Sequence, residues 1–300
     1  MSSELSLRNY VSAFKRHKFD KSLRNEIAKY TLTNKRDNYH GLLAIIADWT
    51  IIIMGATISQ YVRNNIHLPF IWPITYVLVI CIIGARQRGL ARGLHEATHN
   101  CFASNKYLNF FLGTFCSGYV IFQSFRGYQI SHVKNHHPYL GTDRDPDYQG
   151  LKENGICGID RTSENVKRYL RSLFLPSASF KYLLYLIKYR IWTKDDDDGE
   201  TIVRGVYLTM IVAAFIYSGN ALILLLYWII PYFTAHMWIG SFIELMEHYP
   251  LVHHLFPKIP EWEYDNVRHI LMKDETYASL HRRLGWKNLM KEIIDVDEKQ

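Results

Sequence analysis

Residues 42–62 read LLAIIADWTIIIMGATISQYV, a run of 21 residues in which Asp48 is the one charge. A hydrocarbon core of about 30 Å takes roughly 20 helical residues to cross, so this run spans a membrane unaided. Three further apolar runs follow: PFIWPITYVLVICIIGA at 69–85, GVYLTMIVAAFIY at 205–217 and NALILLLYWIIPYFTAHMWIGSFI at 220–243. The last is long enough alone, the second nearly so, and the third needs residues 201–204 to complete it. Residues 63–68 join the first two runs, and Ser218 and Gly219 join the last two. Links so short make each pair a helical hairpin that crosses and returns. The competing reading, a soluble protein with buried helices, fits poorly with two such pairs. The expected fold is all-α: a polytopic membrane protein of two transmembrane helical hairpins.

Charge sets the topology. The chain of 300 residues carries 35 Lys and Arg against 28 Asp and Glu, a formal net charge of +7. If both hairpins enter from one side, residues 1–41, 86–204 and 258–300 on that side hold 9, 17 and 8 of the basic residues, and the far side holds Arg63 alone. The positive-inside rule then puts both termini and the middle segment in the cytosol. The expected division is a cytosolic N-terminal segment (1–41), a membrane domain with a cytosolic cap (42–257) and a cytosolic tail (258–300). A basic chain also suits nucleic acid. Here the charge is spread beside apolar runs and forms no stripe, so the expected partner is a membrane and not nucleic acid. Residues 108–125 (LNFFLGTFCSGYVIFQSF) are apolar. A fifth full span there would reverse the charge pattern, so the segment reads as re-entrant or interfacial. Residues 174–191, interrupted by Pro176, Lys181, Lys188 and Arg190, read as an interfacial helix. Residues 1–41 are polar and unlike a cleavable signal peptide. The expectation is a multi-pass protein of a bacterial plasma membrane or the endoplasmic reticulum. The four cysteines, Cys81, Cys101, Cys116 and Cys157, make no Cys-x-x-Cys pair.

The histidines carry the chemistry. His95 and His99 stand four residues apart, on one face of a helix. His132 and His136 repeat that spacing, and His137 stands about 100° round a regular helix from His136. His248 ends the last apolar run, and His253 and His254 follow at once. Counted from Pro69, His95 and His99 lie about 39 and 45 Å along a helix; counted from Asn220, His248 lies about 42 Å along. All three therefore arrive about 10–15 Å beyond the hydrocarbon edge, which points to one shared site in a cytosolic cap. Eight imidazoles exceed the four ligands of a zinc ion. Two octahedral ions could use them, and nitrogen-rich ligation suits iron. Haem would want single histidines at matched depth within the bilayer. A metal transporter would want ionisable ligands at the midplane, where Asp48 and His236 are the candidates. Asp143, Asp145 and Asp147 are either acceptors for imidazole N–H groups or turn residues; Glu96 and Asn100 pose the same choice.

His95–His99, His132–His137 and His253–His254, set between two hairpins, resemble the three histidine boxes of the integral-membrane fatty acid desaturase family. That superfamily includes alkane hydroxylases and carotenoid hydroxylases and ketolases. Four details reinforce the likeness: Gln87–Leu90 before the first box, Gly141–Asp147 after the second, Glu247–Tyr249 at the helix end, and the LVHHLFP of residues 251–257. The resemblance implies that His95, His99, His132, His136, His137, His248, His253 and His254 ligate two Fe ions. It implies O2 as co-substrate, a lipid or fatty acyl substrate, and a separate electron donor of the ferredoxin or cytochrome b5 type. Desaturation is the expected reaction, with hydroxylation or ketolation on the same site as the alternative. The chain departs from the family in one place. The third box is usually H-x-x-H-H, set well apart from the histidine of the fourth helix. Here Pro250 replaces the leading histidine and His248 stands five residues before His253. His248, His269, His281 or a carboxylate such as Glu244 compensates, or the metal site is degenerate or structural.

Overall fold

The structure, a computed structural model, describes residues 17–153, 162–173, 175–192, 197–246, 252–280 and 294. The fold is all-α, and no strand occurs among the described residues. Four helices have the length and apolarity to cross a membrane: His40–Asn65, Ile71–Thr98, Asp198–Tyr217 and Ala221–Ile243. The third is complete because it begins at Asp198, where the Asp197 carboxylate accepts from the Gly199 N–H at 2.8 Å. The second runs unbroken for 28 residues, about 42 Å. It thus carries its polar end, His95 included, well past its apolar part. It stops where Asn100 turns into the left-handed region, at φ 59°.

The spans show water-averse faces to their surroundings. Ile53, Leu78, Met210 and Ile216 are all exposed, as lipid-facing side chains of a bundle should be. Inside, the second span packs against the first and the fourth. Gly84 makes the latter contact possible. A Cβ on Gly84 would stand 2.5 Å from the Ala235 Cβ and 2.7 Å from the His236 nitrogen.

Residues 108–125 do not form a span. The α-helix Lys106–Gly113 loosens into a π-turn at Thr114–Gly118 and a 3₁₀ turn at Tyr119–Ile121. Such a break frees carbonyls that a bilayer could not satisfy. Side chains of three spans satisfy them instead: Trp49 Nε1 donates to Cys116 O at 3.1 Å, Tyr207 Oη to Phe115 O at 2.8 Å, and Trp228 Nε1 to Val120 O at 2.8 Å. Trp49 and Trp228 stack with ring centres 5.1 Å apart. The broken segment is therefore the keystone between the hairpins. The helix Pro176–Leu186 lies against the fourth span, where Gly240 leaves room for the Tyr182 ring.

The cap joins residues near the start of the described chain to residues near its end. The helix Lys21–Ala28 buries Leu23 and Ile27 against Val267, Ile270 and Leu271 of the helix Tyr264–Leu271. Lys35 pairs with Glu263 at 2.5 Å and His17 with Asp274 at 2.8 Å. Val252 and Ile259, on either side of His253 and His254, belong to the same apolar cluster.

Gly84→Ala drives a methyl into rigid backbone and is expected to cost about 1–3 kcal/mol. Gly205→Ala, where nothing lies within 4 Å, is the control. Thermal unfolding in detergent should drop for the first variant only.

Candidate metal centre

Three chain segments bring their histidines to one place. His95 and His99 close the second span, with ring centres 5.0 Å apart. His132, His136 and His137 come next, and here the regular-helix expectation fails. Residues Gln129–His136 wind as a π-helix, whose i→i+5 repeat is uncommon and concentrates at functional sites. The wider turn puts His137 one turn beyond His132, and their Nε2 atoms stand 3.1 Å apart. The third segment is the short helix Val252–Leu255, which carries His253 and His254. His253 Nε2 lies 3.0 Å from His137 Nε2, and His254 Nε2 lies 3.2 Å from His136 Nε2. Ligand atoms of His95, His99, His132, His137 and His253 all fall within 4.8 Å of one another.

These nitrogens fit a metal by their chemistry. Burial, with the neighbouring imidazoles adding to it, pushes His99 down to about 2 and His137 to about 3. It holds His132 and His253 well below the ordinary imidazole range. Neutral imidazoles are what a metal binds. Bonds of about 2.1 Å at right angles set neighbouring ligand nitrogens about 3.0 Å apart, close to the spacings found here. The Nε2 of His99 is buried with no hydrogen-bond partner, as a ligand nitrogen should be without its ion.

The opposite edges of the rings are anchored. His136 Nδ1 lies 2.9 Å from Asp145 Oδ1 and 3.2 Å from Asp147 Oδ2. Asp145 is held by the N–H groups of Gly141 and Asp147, at 2.9 and 3.0 Å. Asp147 accepts from the Tyr185 hydroxyl and, at 3.3 Å, from Arg190. Arg190 in turn lies 4.2 Å over the Tyr128 ring. Two of the three aspartates are thus imidazole partners that fix ring orientation. The third, Asp143, pairs with Lys152 at the surface. Asp147 also lies near enough to His132 and His136 to share an ion. It sits behind the Nδ1 edge of His136, however, while Nε2 faces His254, so it reads as an anchor. His95 Nδ1 meets Glu96 Oε1 at 3.1 Å. Asn100 ends the helix and serves as a turn residue.

Other sequence candidates fall elsewhere. His269 is exposed beside Arg268. His248, His281 and the Glu244 side chain lie outside the described residues. Asp48 is buried against Arg86 at 3.2 Å, and His236 stacks on Tyr232 with ring centres 4.7 Å apart. Neither belongs to a metal-type group among the described residues. Tyr185, Arg190 and Tyr264 escape sequence reasoning, since nothing in their local pattern ties Tyr185 and Arg190 to Asp147, 38 and 43 residues away, or Tyr264 to His253, eleven residues away.

The profile of the fatty acid desaturase family matches residues 71–252. The chain belongs to that family. It is also 30% identical to the dihydrorhizobitoxine desaturase of Bradyrhizobium elkanii, over 87% of this chain and 83% of that protein. With the four spans, membership makes the chain a membrane-bound oxidoreductase of desaturase type. The family match ends one residue before His253, next to the place where this chain departs from the usual third box.

The depressed imidazole pKa values have a sign. Below about pH 6.5 the unfolded chain takes up protons that the folded, metal-free chain refuses. Stability is therefore present above that pH and lost as pH falls towards the folded values. The unfolding temperature of metal-free protein should drop between about pH 7 and pH 5; an unchanged value would contradict burial of neutral imidazoles.

Proposed function

We propose that this desaturase-family protein is an O2-dependent di-iron enzyme that places a double bond in a lipid or fatty acyl chain. The observation that carries the reading is the convergence of His137 on His132 and His253, and of His136 on His254, at 3.0–3.2 Å. On this reading His95, His99, His132, His136, His137, His248, His253 and His254 hold two iron ions. The balance is R–CH2–CH2–R′ plus O2, two electrons and two protons, giving R–CH=CH–R′ and two waters. The iron supplies O2 activation and electron transfer. The chain's own residues do the rest. Asp145 and Glu96 fix His136 and His95 by their Nδ1 edges, and the buried imidazoles stay neutral and so available to metal. Electrons come from a separate donor of the ferredoxin or cytochrome b5 type. The basic segments 1–41, 86–204 and 258–300 support a cytosolic cap, in a bacterial plasma membrane or the endoplasmic reticulum. The three units are then the N-terminal segment 1–41, the membrane domain 42–257 and the tail 258–300.

The relative's name supports desaturation over hydroxylation, which would consume the same O2 and electrons and release one water. That name specifies dihydrorhizobitoxine and not an acyl lipid, so polar extracts belong in the test beside lipids. Metal analysis should give two irons per chain, and mass spectrometry of extracts from an expressing host should show an O2-dependent product lighter by two hydrogens. A product heavier by one oxygen indicates hydroxylation, and absence of stoichiometric iron indicates a degenerate site. His95→Ala, His136→Ala and His254→Ala should each abolish turnover while membrane insertion persists. Turnover retained by a purified variant removes that residue from the ligand set.

A further inference from the structure

The three histidine groups are not anchored alike. His136 takes its partners, Asp145 and Asp147, from its own segment, nine and eleven residues on. His253 does not. Its Nδ1 lies 3.0 Å from the hydroxyl of Tyr264, the first residue of the tail helix Tyr264–Leu271. The Tyr264 hydroxyl also faces the carboxylate of Glu96, a residue of the second span that is 2% exposed. One Glu96 oxygen is engaged by His95 Nδ1 at 3.1 Å, and the other accepts from the Glu261 N–H at 3.2 Å. Arg92 holds Glu261 from the second span at 2.9 Å. The rings of His95 and His253 are themselves 4.3 Å apart.

We propose that Tyr264 is a positioning residue that couples the third histidine pair to the first, by accepting from His253 Nδ1 and offering its own hydrogen to the acidic neighbour it shares with His95, Glu96. The inference rests on the metal reading above. The hydrogen-bond directions follow from that reading. His253 Nε2 points at His137 Nε2, so with Nε2 given to a metal the proton of the neutral ring sits on Nδ1 and is donated to the phenol oxygen. A phenol accepts and donates at one atom, so its hydrogen remains for the carboxylate. Glu96 thereby sets the ring orientation of two ligands from distant segments, one directly and one through Tyr264. The tail, in turn, presents Tyr264 and Glu261 to the end of the second span. Residue 264 lies beyond the family match.

The test uses purified full-length protein, stripped of metal and titrated with Co2+, reading the visible cobalt bands together with unfolding of the metal-free form. Tyr264→Phe should weaken Co2+ binding about 10–100-fold with the metal-free unfolding temperature unchanged. Glu96→Gln should weaken it at least as much. The double variant should bind no more weakly than Glu96→Gln alone, because the two act in series. Wild-type affinity in Tyr264→Phe, multiplied losses in the double variant, or a fall in unfolding temperature without a change in affinity each overturns the inference while leaving the metal reading standing. Failure of the wild-type chain to bind Co2+ at all overturns the metal reading and this inference with it.

Discussion

Five imidazoles held with ligand atoms within 4.8 Å of one another are the constraint around which this molecule is built. Such nitrogens gain little from one another where lone pair faces lone pair, and they repel when protonated. Burial removes the water that could have separated them. Crowding of this kind needs rigid elements to impose it, and it suits the binding of a cation. The fold supplies the rigidity. A continuous 28-residue helix lifts His95 to the cap, and a π-helix brings His132 and His137 into register.

The membrane bundle and the cap are parts of one device. The broken segment Thr114–Ile121 has carbonyls bound by Trp49, Tyr207 and Trp228, so both hairpins grip the stretch that leads into the second histidine group. A short helix, Phe125–Tyr128, separates that stretch from the π-helix. Glu200, at the start of the third span, accepts from the N–H groups of Phe125 and Arg126 at 2.6 and 2.9 Å. A carboxylate at exposed helix N–H groups is favourable, and this one ties the entry of the second box to the second hairpin.

Much of this was legible beforehand because it is written in local pattern. Long apolar runs that lack Lys and Arg give spans, as at 42–62 and 220–243. Short-range spacing gives the His95 and His99 pair. What failed was what a regular repeat cannot encode. The π-turn around His132 widens the helix by one residue per hydrogen bond, and the HxxxHH spacing fits both windings. Asp143, Asp145 and Asp147 look alike in sequence, and only the fold separates the exposed Asp143 from the two buried under His136. Arg190 reaches Asp147 from 43 residues away and Tyr264 reaches His253 from another helix. Neither contact follows from a spacing that a single sequence displays.

The shortened third box becomes intelligible in the same terms. Where family relatives place a long segment between the fourth-helix histidine and the final pair, His253 here follows His248 by five residues. The position of His253 and His254 must then be fixed from beyond the box. The structure shows what lies beyond it. Val252 and Ile259 are buried among Ile27, Val267 and Leu271, and Cys101, just past the first box, donates its thiol to Pro257 O at 3.4 Å. Glu261 and Tyr264 complete the grip against Glu96 and His253. An apolar cluster that joins the helix Lys21–Ala28 to the helix Tyr264–Leu271 thus does the holding that a longer connection would otherwise do. A histidine pair seated this way depends on residues 17–40 and 257–277 as much as on the spans. The terminal segments therefore count as part of the scaffold that holds the histidines together.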